Sequence, residues 1–321
     1  YVKAVGREED VPNYLYDTLV AELDVLQEVA ELTAEKLCYS LEYKGFLPKF
    51  EHTKLNIKDS YIHRTENIGK YGYGIYAKNR MFYVDEQGGI IPVHHPDNIT
   101  LSDLVDYEHE RQIIIDNTKA LIDGKPAANI LLTGDAGTGK SSTVKAVANA
   151  FWREGLRIVE LRKDQLCSIP MVLDELASNP LKFILFIDDL SFFKNDDKFN
   201  ALKAVLEGSV TVKSKNVVIY ATSNRRHIIK ETFSDREGDD VHRNDTVQEL
   251  VSLSERFGVH VTFSRPNKET FLHIVHHLAE ECGIELPKEE LEMLAERYAL
   301  ERGGRSARLA RQFVDGLLSM R

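Results

Sequence analysis

The stretch that decides the fold reads Asn-Ile-Leu-Leu-Thr-Gly-Asp-Ala-Gly-Thr-Gly-Lys-Ser over residues 129–141. An apolar run leads into the pattern G-x-x-x-x-G-K-[S/T], and a helical pattern follows it. Glycines let backbone N–H groups surround phosphates, the lysine reaches the terminal phosphates, and the next hydroxyl binds Mg²⁺. The strand, loop and helix context argues against a merely structural glycine-rich turn. We therefore predict a nucleoside triphosphate site formed by Gly134, Asp135, Ala136, Gly137, Thr138, Gly139, Lys140, Ser141 and Ser142.

Around this loop, apolar runs alternate with amphipathic segments. Strands are predicted at 129–133, 157–161, 183–187, 216–222 and 258–263. Helices are predicted at 103–123, 140–152, 170–178, 199–208 and 246–256, with a charged loop over 230–245. Strands that are apolar throughout are typical of a parallel sheet covered by helices on both faces. After Pro266 the pattern is helical in the segments 269–282, 288–298 and 306–320. We predict an α/β core over 98–265 and a small helical unit over 266–321.

The N-terminal region, residues 1–97, has a different pattern. Residues 14–41 repeat apolar positions at helical spacing and predict one or two amphipathic helices. Residues 71–93 alternate aromatic or β-branched residues with small ones around Gln87-Gly88-Gly89, which predicts a hairpin. Its tyrosines and basic residues would also suit a surface for single-stranded nucleic acid, although a half-buried hairpin explains them more simply. We predict a boundary near residue 97 and a recognition role for this region.

Two carboxylates follow the apolar strand at 183–187. We expect Asp188 to serve the Mg²⁺ ion and Asp189 to polarise the attacking water. The second task more commonly falls to glutamate, whose side chain is one methylene longer, so slow turnover is expected. The alternative is that the two residues cap the following turn, an interpretation with more weight for Asp189.

Three further polar residues complete the candidate site. Asn224 follows the strand at 216–222 and is a candidate to orient the lytic water, or else a local cap. Arg256 ends a predicted helix before the last strand. From there an arginine can enter a neighbouring subunit and stabilise transition-state charge, or simply complement the helix dipole. In the C-terminal helices we favour Arg308 as a residue that reaches the nucleotide, with Arg305 as the alternative.

In this order, these features resemble the AAA+ ATPases from about residue 98 to 321. Five strings are similar to the bacterial AAA+ family known as domain of unknown function 815: GDAGTGKSS (134–142), FIDDLSF (186–192), ALKAVLEG (201–208), YATSNRRH (220–227) and LSERFG (253–258). The resemblance implies ATP and Mg²⁺ as cofactors and AAA+ roles for Lys140, Ser141, Asp188, Asp189, Asn224, Arg256 and Arg308. Where AAA+ proteins often carry Val-Gly, this chain has Val105-Asp106, and the resemblance implies an adenine pocket at Leu104, Val105 and Tyr107.

Composition limits the remaining classes of protein. The 321 residues carry a net charge of -10, which argues against a protein that coats duplex DNA. Three separated cysteines, Cys38, Cys167 and Cys282, indicate buried thiols in a reducing cytoplasm better than disulfides or a zinc site. The apolar runs are too short for a membrane span.

We therefore expect a homo-oligomeric ATPase that couples ATP hydrolysis to remodelling or loading of a macromolecular partner, either protein or nucleic acid. A nucleotide-gated scaffold that hydrolyses slowly is the main alternative, and Asp189 is the feature that supports it. A small-molecule kinase is disfavoured because such an enzyme has no obvious use for a helical lid or for an arginine at position 256.

Overall fold

The computed structural model describes residues 1–39, 45–46, 54–191, 197–207, 215–224 and 255–319. The chain divides into two compact units. The first contains residues 1–77 and 178–181, and the second contains residues 78–177 and 182–321.

The first unit is helical in its described part. Its helices span Val2–Gly6, Asn13–Ala30, Ala34–Cys38, Ile57–Glu66, Ile68–Tyr71 and Ile75–Lys78, the last of which crosses into the second unit. The Gln27 side chain joins the longest helix to a later one, because it donates to the carbonyl of Leu55 and accepts from the N–H of Ile57, both at 2.8 Å. The helical prediction for residues 14–41 corresponds to two helices here.

A seven-stranded sheet forms the centre of the second unit. Its strands are β1 (Met81–Val84), β2 (Ile90–Pro92), β3 (Ile130–Gly134), β4 (Leu156–Leu161), β5 (Lys182–Ile187), β6 (Val217–Ser223) and β7 (Val259–Phe263). Their spatial order is β2-β1-β4-β5-β6-β3-β7, and only the β1–β2 pair is antiparallel. Every residue of β3 and β6 is buried, since helices cover both faces. The predicted α/β class with a mainly parallel sheet is confirmed.

Helices flank this sheet and then form a separate C-terminal layer. The α-helices beside the sheet span Glu108–Ile122, Lys140–Phe151, Ile169–Ala177 and Asp197–Glu207. Short 3-10 helices span Leu101–Asp103, Trp152–Glu154 and Lys163–Ser168. The last three helices, which we call the lid, span Lys268–Glu281, Lys288–Glu301 and Ala307–Ser319. The lid has its own apolar core around Phe271, Val275, Ala295 and Val314.

The predicted hairpin exists, but it is shorter than expected and belongs to the sheet. β1 and β2 flank the turn at Gly88, and β1 pairs in parallel with β4. Residues 71–78 are largely helical instead of extended, because Tyr76 is buried and the ring of Tyr73 packs against Gly6. The second unit thus starts at residue 78, whereas we expected the boundary near residue 97. The division into functional domains stays a prediction.

The helix predicted over 103–123 also differs in the structure. A 3-10 turn ends at Asp103, and the α-helix begins only at Glu108. Between them Asp106 and Tyr107 both adopt left-handed backbone angles, with φ of 61° and 62°. Arg111 donates to the carbonyl of Leu104, which helps to hold this non-helical segment.

Two sequence predictions lie outside the described residues: the charged loop over 230–245 and most of the helix over 246–256. Within the described part of the chain, no helix combines the length and apolar character needed to cross a membrane.

Candidate nucleotide site

The predicted phosphate loop connects β3 to the helix that begins at Lys140. Gly134, Gly137 and Gly139 all have positive φ, and at Gly134 a Cβ would lie 1.9 Å from the carbonyl oxygen of Phe263. The loop therefore requires glycine for steric reasons as well as for its backbone angles. The remaining predicted loop residues, Asp135, Ala136, Thr138, Ser141 and Ser142, lie in the same connection or in the first turn of the helix.

Lys140 lies inside this loop and is only 4% exposed. Its ammonium donates to the carbonyls of Gly134 at 2.9 Å and Asp135 at 2.7 Å. Burial lowers the pKa of Lys140, while the carboxylates of Asp135, Asp188 and Asp189 oppose that shift. The Lys140 amine therefore lies inside the loop, at the position where the predicted motif places its lysine.

The carboxyl ends of β5 and β6 bring the predicted acidic and amide residues together. The Ser141 hydroxyl donates to Oδ1 of Asp188 at 2.6 Å, which links the loop to the end of β5. The Asn224 amide donates to Oδ1 of Asp189 at 2.7 Å. These contacts arise because β5 and β6 are neighbours in register, so residues just beyond their ends meet at one edge of the sheet.

Thr222 is a residue of this site that we did not predict. Its hydroxyl donates to Oδ1 of Asp188 at 2.5 Å and accepts from the N–H of Asp189 at 2.9 Å. The only signal in the sequence is a polar residue at the end of an otherwise apolar strand. That signal is weak, because threonine is common in strands.

A cavity of about 730 Å³ opens in front of these groups. The phosphate loop, Asp188, Asp189, Asn224 and part of the lid line it. This volume lies within the range of about 300 to 1,000 Å³ that is usual for small-molecule sites.

The lining of the cavity also includes the residues that we connected with adenine. Leu104, Val105 and Tyr107 line it together with Phe263 and the lid residue Ile274. The Tyr107 hydroxyl donates to the carbonyl of Ser264 at 2.6 Å. Burial raises the pKa of Tyr107 to about 12, so the phenol remains a donor at neutral pH.

The two candidate arginines of the lid have different surroundings. Arg308 lines the cavity, and its backbone N–H donates to the carbonyl of Gly137 at 3.1 Å. Arg305 instead makes two hydrogen bonds to Glu296 of the lid, at 2.8 and 2.6 Å. This hydrogen bonding lowers the pKa of Glu296.

Arg256 lies away from the cavity. Its guanidinium forms an ion pair with Glu207, at the end of the helix Asp197–Glu207, and its side chain is 25% exposed. Arg256 is absent from the described lining of the cavity. The structure thus brings the loop residues, Asp188, Asp189, Asn224 and Arg308 together within one chain, but not Arg256.

The residues present fit a magnesium nucleotide. Mg²⁺ prefers oxygen ligands, and the Ser141 hydroxyl and Asp188 carboxylate supply two at the edge of the loop. Backbone N–H groups at the start of the helix and the Lys140 ammonium suit anionic phosphates. At Gly137 a Cβ would come within 3.0 Å of the Cβ of Arg308, which shows how closely the lid approaches the loop.

Several solved structures resemble this chain. The RuvB Holliday junction branch migration motor of Thermotoga maritima is 15% identical, with a TM-score of 0.48, and the match covers 69% of this chain and 65% of that chain. Two mutants of the same protein match at 14% and 15% identity with TM-scores of 0.47 and 0.48 and the same coverage. The chain thus spans less than two thirds of the length of these structures, and the likeness carries no argument about activity. No curated protein matches the chain.

A family model identifies the chain more directly. It matches residues 77–321, which is well over half of the sequence, and its first residue lies next to the start of the second unit at Lys78. The matched part contains the phosphate loop, the acidic pair and the lid, so the predicted order of a phosphate loop on a mainly parallel sheet followed by a helical unit is confirmed. With both the motifs and the matched range in agreement, the chain belongs to the family described as protein of unknown function (DUF815).

Proposed function

We propose that this chain is an AAA+ ATPase that binds ATP with Mg²⁺, hydrolyses it, and couples hydrolysis to remodelling or loading of a macromolecular partner. The observation that carries the ATPase assignment is the convergence of two contacts beside the phosphate loop, Ser141 with Asp188 and Asn224 with Asp189. The contact of Ser141 with Asp188 presents two oxygen ligands for a cation, and the contact of Asn224 with Asp189 presents a carboxylate for the attacking water. Phosphoryl transfer to water needs both the cation site and a group that positions the water.

Each group has a distinct task in this proposal. The loop N–H groups and Lys140 bind the phosphates, and Ser141 and Asp188 hold the cation. When bound, Mg²⁺ would neutralise charge on the phosphate oxygens. Asp189 accepts a proton from the attacking water, Asn224 orients that water, and Arg308 adds positive charge from the lid. Arg256 acts on the site of a neighbouring copy.

The test is release of phosphate from ATP with Mg²⁺ by the intact chain, compared with two isosteric variants. Asp188→Asn should raise the Mg²⁺ concentration needed for nucleotide binding, because a charged ligand is lost. Asp189→Asn should leave binding within about twofold and lower kcat by at least about 100-fold, since general-base catalysis contributes that much. Normal turnover by Asp189→Asn would remove the base role from this residue.

A slowly hydrolysing scaffold is the second candidate. The observation that favours it is Asp189 itself, which is short for the water-polarising role and is held by Asn224 at 2.7 Å. A scaffold would keep ATP bound for many minutes, and its turnover would not respond to a partner. Single-turnover measurement of bound ATP, with and without added macromolecule, distinguishes it from a remodelling ATPase.

The proposed partner is either a nucleic acid or a protein, and ATP hydrolysis can distinguish the two. Steady-state phosphate release should be measured with single-stranded DNA, duplex DNA, RNA and an unfolded protein, each added in turn. Stimulation by one class identifies the partner, and residues 1–97 are the proposed recognition region. A homo-oligomer is proposed because Arg256 precedes the last strand and is absent from the described residues that line the cavity. A cytoplasmic location is proposed because Cys38, Cys167 and Cys282 form no disulfide in the described part of the chain. The prediction that these thiols are buried was wrong, since Cys167 is exposed and the other two are partly exposed.

A further inference from the structure

Thr222 occupies a position between the two acidic residues of the site. It lies near the end of β6 and is 2% exposed. A threonine hydroxyl has one proton and two lone pairs. Here the proton goes to Oδ1 of Asp188 at 2.5 Å, and a lone pair accepts the N–H of Asp189 at 2.9 Å. One hydroxyl therefore contacts both acids.

The backbone of Thr222 holds the same segment. Its carbonyl accepts the N–H of Leu190 at 2.7 Å. Thr222 therefore contacts Asp188, Asp189 and Leu190 in turn. Asp189 lies in the left-handed region with φ of 52°, a conformation that needs support from its surroundings in a residue with a Cβ. The hydrogen bond from its N–H to Thr222 supplies such support.

We infer that Thr222 is a positioning residue that sets the direction of both carboxylates, Asp188 toward the cation and Asp189 toward the attacking water. The inference rests on the proposed ATPase function. Two hydroxyls, those of Ser141 and Thr222, donate to the same oxygen of Asp188. Ser141 belongs to the predicted phosphate loop, and Thr222 belongs to the sheet. If Ser141 turns to a cation, Thr222 still holds the carboxylate on the sheet.

Valine and serine separate this role from packing. Thr222→Val keeps the shape of the side chain but removes both the donor to Asp188 and the acceptor for the Asp189 N–H. Thr222→Ser keeps the hydroxyl and loses only a methyl group. The neighbouring hydroxyl of Ser223 provides a matched control, because it is buried at the end of the same strand and makes no hydrogen bond within the described part of the chain.

The experiment measures three quantities for each variant. They are kcat and KM for ATP, binding of Mn²⁺ by electron paramagnetic resonance with a non-hydrolysable ATP analogue, and the thermal midpoint. For Thr222→Val we expect kcat to fall by about tenfold or more and Mn²⁺ affinity to fall by about tenfold, with KM within about threefold. Thr222→Ser and Ser223→Ala should stay within about threefold of the unmodified chain in every quantity.

Two results would overturn the inference. One is a valine variant with kcat and Mn²⁺ affinity equal to those of the unmodified chain. The other is equal loss in the serine and valine variants, because the serine variant keeps the hydroxyl and the loss would then come from packing of the side chain. If the valine variant does not fold, Thr222→Ala replaces it, because alanine and serine differ only by the hydroxyl.

Failure of the proposed function has a different signature. An unmodified chain that releases no phosphate contradicts the ATPase proposal, whereas the Mn²⁺ measurement with the ATP analogue still tests Thr222. Conversely, normal ATP hydrolysis by the unmodified chain together with an unaffected valine variant removes only the positioning role.

Discussion

The nucleotide cavity and the surroundings of Arg256 differ in the functional groups that one chain brings together. At the cavity, the phosphate loop, the ends of two strands and the lid supply cationic, acidic and amide groups that contact each other. Arg256 instead pairs with Glu207 and is absent from the described lining of that cavity. The chain therefore gathers the groups of the proposed ATP site, while Arg256 is absent from the described residues that line it.

This difference separates two kinds of residue. Substitutions at the cavity should act within the subunit that carries them and should change binding. Substitutions of Arg256 should leave binding unchanged and should affect hydrolysis through an assembled neighbour. In the proposed homo-oligomer such a division would be measurable, because each head-to-tail interface would join the cavity of one copy to a different surface of the next.

The largest effect is expected at Lys140. Lys140→Ala removes the buried ammonium that lies among the loop carbonyls, so affinity for ATP should fall by about 10- to 100-fold, and turnover should be abolished. Titration with a fluorescent ATP analogue measures the change. Lys145→Ala is the control, since Lys145 is on the same helix but pairs with Glu160. Equal affinity of the Lys140 variant and the unmodified chain would contradict the assignment of the cavity.

Arg256→Ala should have the next largest effect, and only on hydrolysis. An arginine supplied to a neighbouring site is worth about 1,000-fold or more in kcat, whereas ATP affinity should stay within about twofold. Glu207→Gln removes the partner of Arg256 but keeps the arginine. If Arg256 acts on a neighbouring site, Glu207→Gln should keep most of the hydrolysis. If Arg256 acts only through its ion pair with Glu207, both variants should lose hydrolysis to the same extent.

Mixing two inactive variants tests whether the arginine acts between subunits. Arg256→Ala and Lys140→Ala copies combined in one oligomer create some interfaces with an intact loop on one side and an intact arginine on the other. Those interfaces should recover part of the phosphate release. A mixture that stays inactive, while light scattering shows mixed oligomers, would place the arginine within its own subunit or give it a structural role.

The sequence predicted the candidate site residues that belong to a local motif or directly follow a strand. The phosphate loop, Asp188 and Asn224 follow strands, and parallel neighbours bring such strand ends together at one edge. It did not predict Thr222, because the role of that hydroxyl depends on the register between β5 and β6. It also did not predict the left-handed angles at Asp106, because contacts distant in sequence hold that segment. The pairing of β1 with β4 was missed for the same reason.

Arg308 and Arg305 of the lid differ in the same way, because Arg308 lines the cavity and Arg305 pairs with Glu296. Arg308→Met should weaken ATP binding by about tenfold, because a charged donor lining the cavity is lost. Arg305→Met should leave binding unchanged and lower the thermal midpoint by no more than a few degrees, since its partly exposed pair with Glu296 contributes about 1 kcal/mol or less. Calorimetric titration with ATP and thermal unfolding of both variants measure these effects. The reverse outcome would exchange the two assignments.

The smallest effect concerns acid stability of the lid. Hydrogen bonding from Arg305 lowers the pKa of Glu296 below its ordinary value of 4.5, so the ionised carboxylate is favoured in the folded state. This contribution to stability is fully present above the unfolded-state pKa and disappears as the pH falls through the lower, folded-state pKa. The unmodified chain should therefore be slightly more stable than Glu296→Gln at neutral pH, and the difference should shrink only below pH 4.5.

Thermal unfolding of both proteins across this pH range measures the difference in stability. Glu301→Gln is the control, because the ion pair of Glu301 with Arg297 is exposed. A difference that is independent of pH would show that the Arg305 pair does not favour the ionised carboxylate. In that case the charge of Glu296 would not explain why Arg305 is absent from the described lining of the cavity, and the contrast with Arg308 would have to be explained by packing.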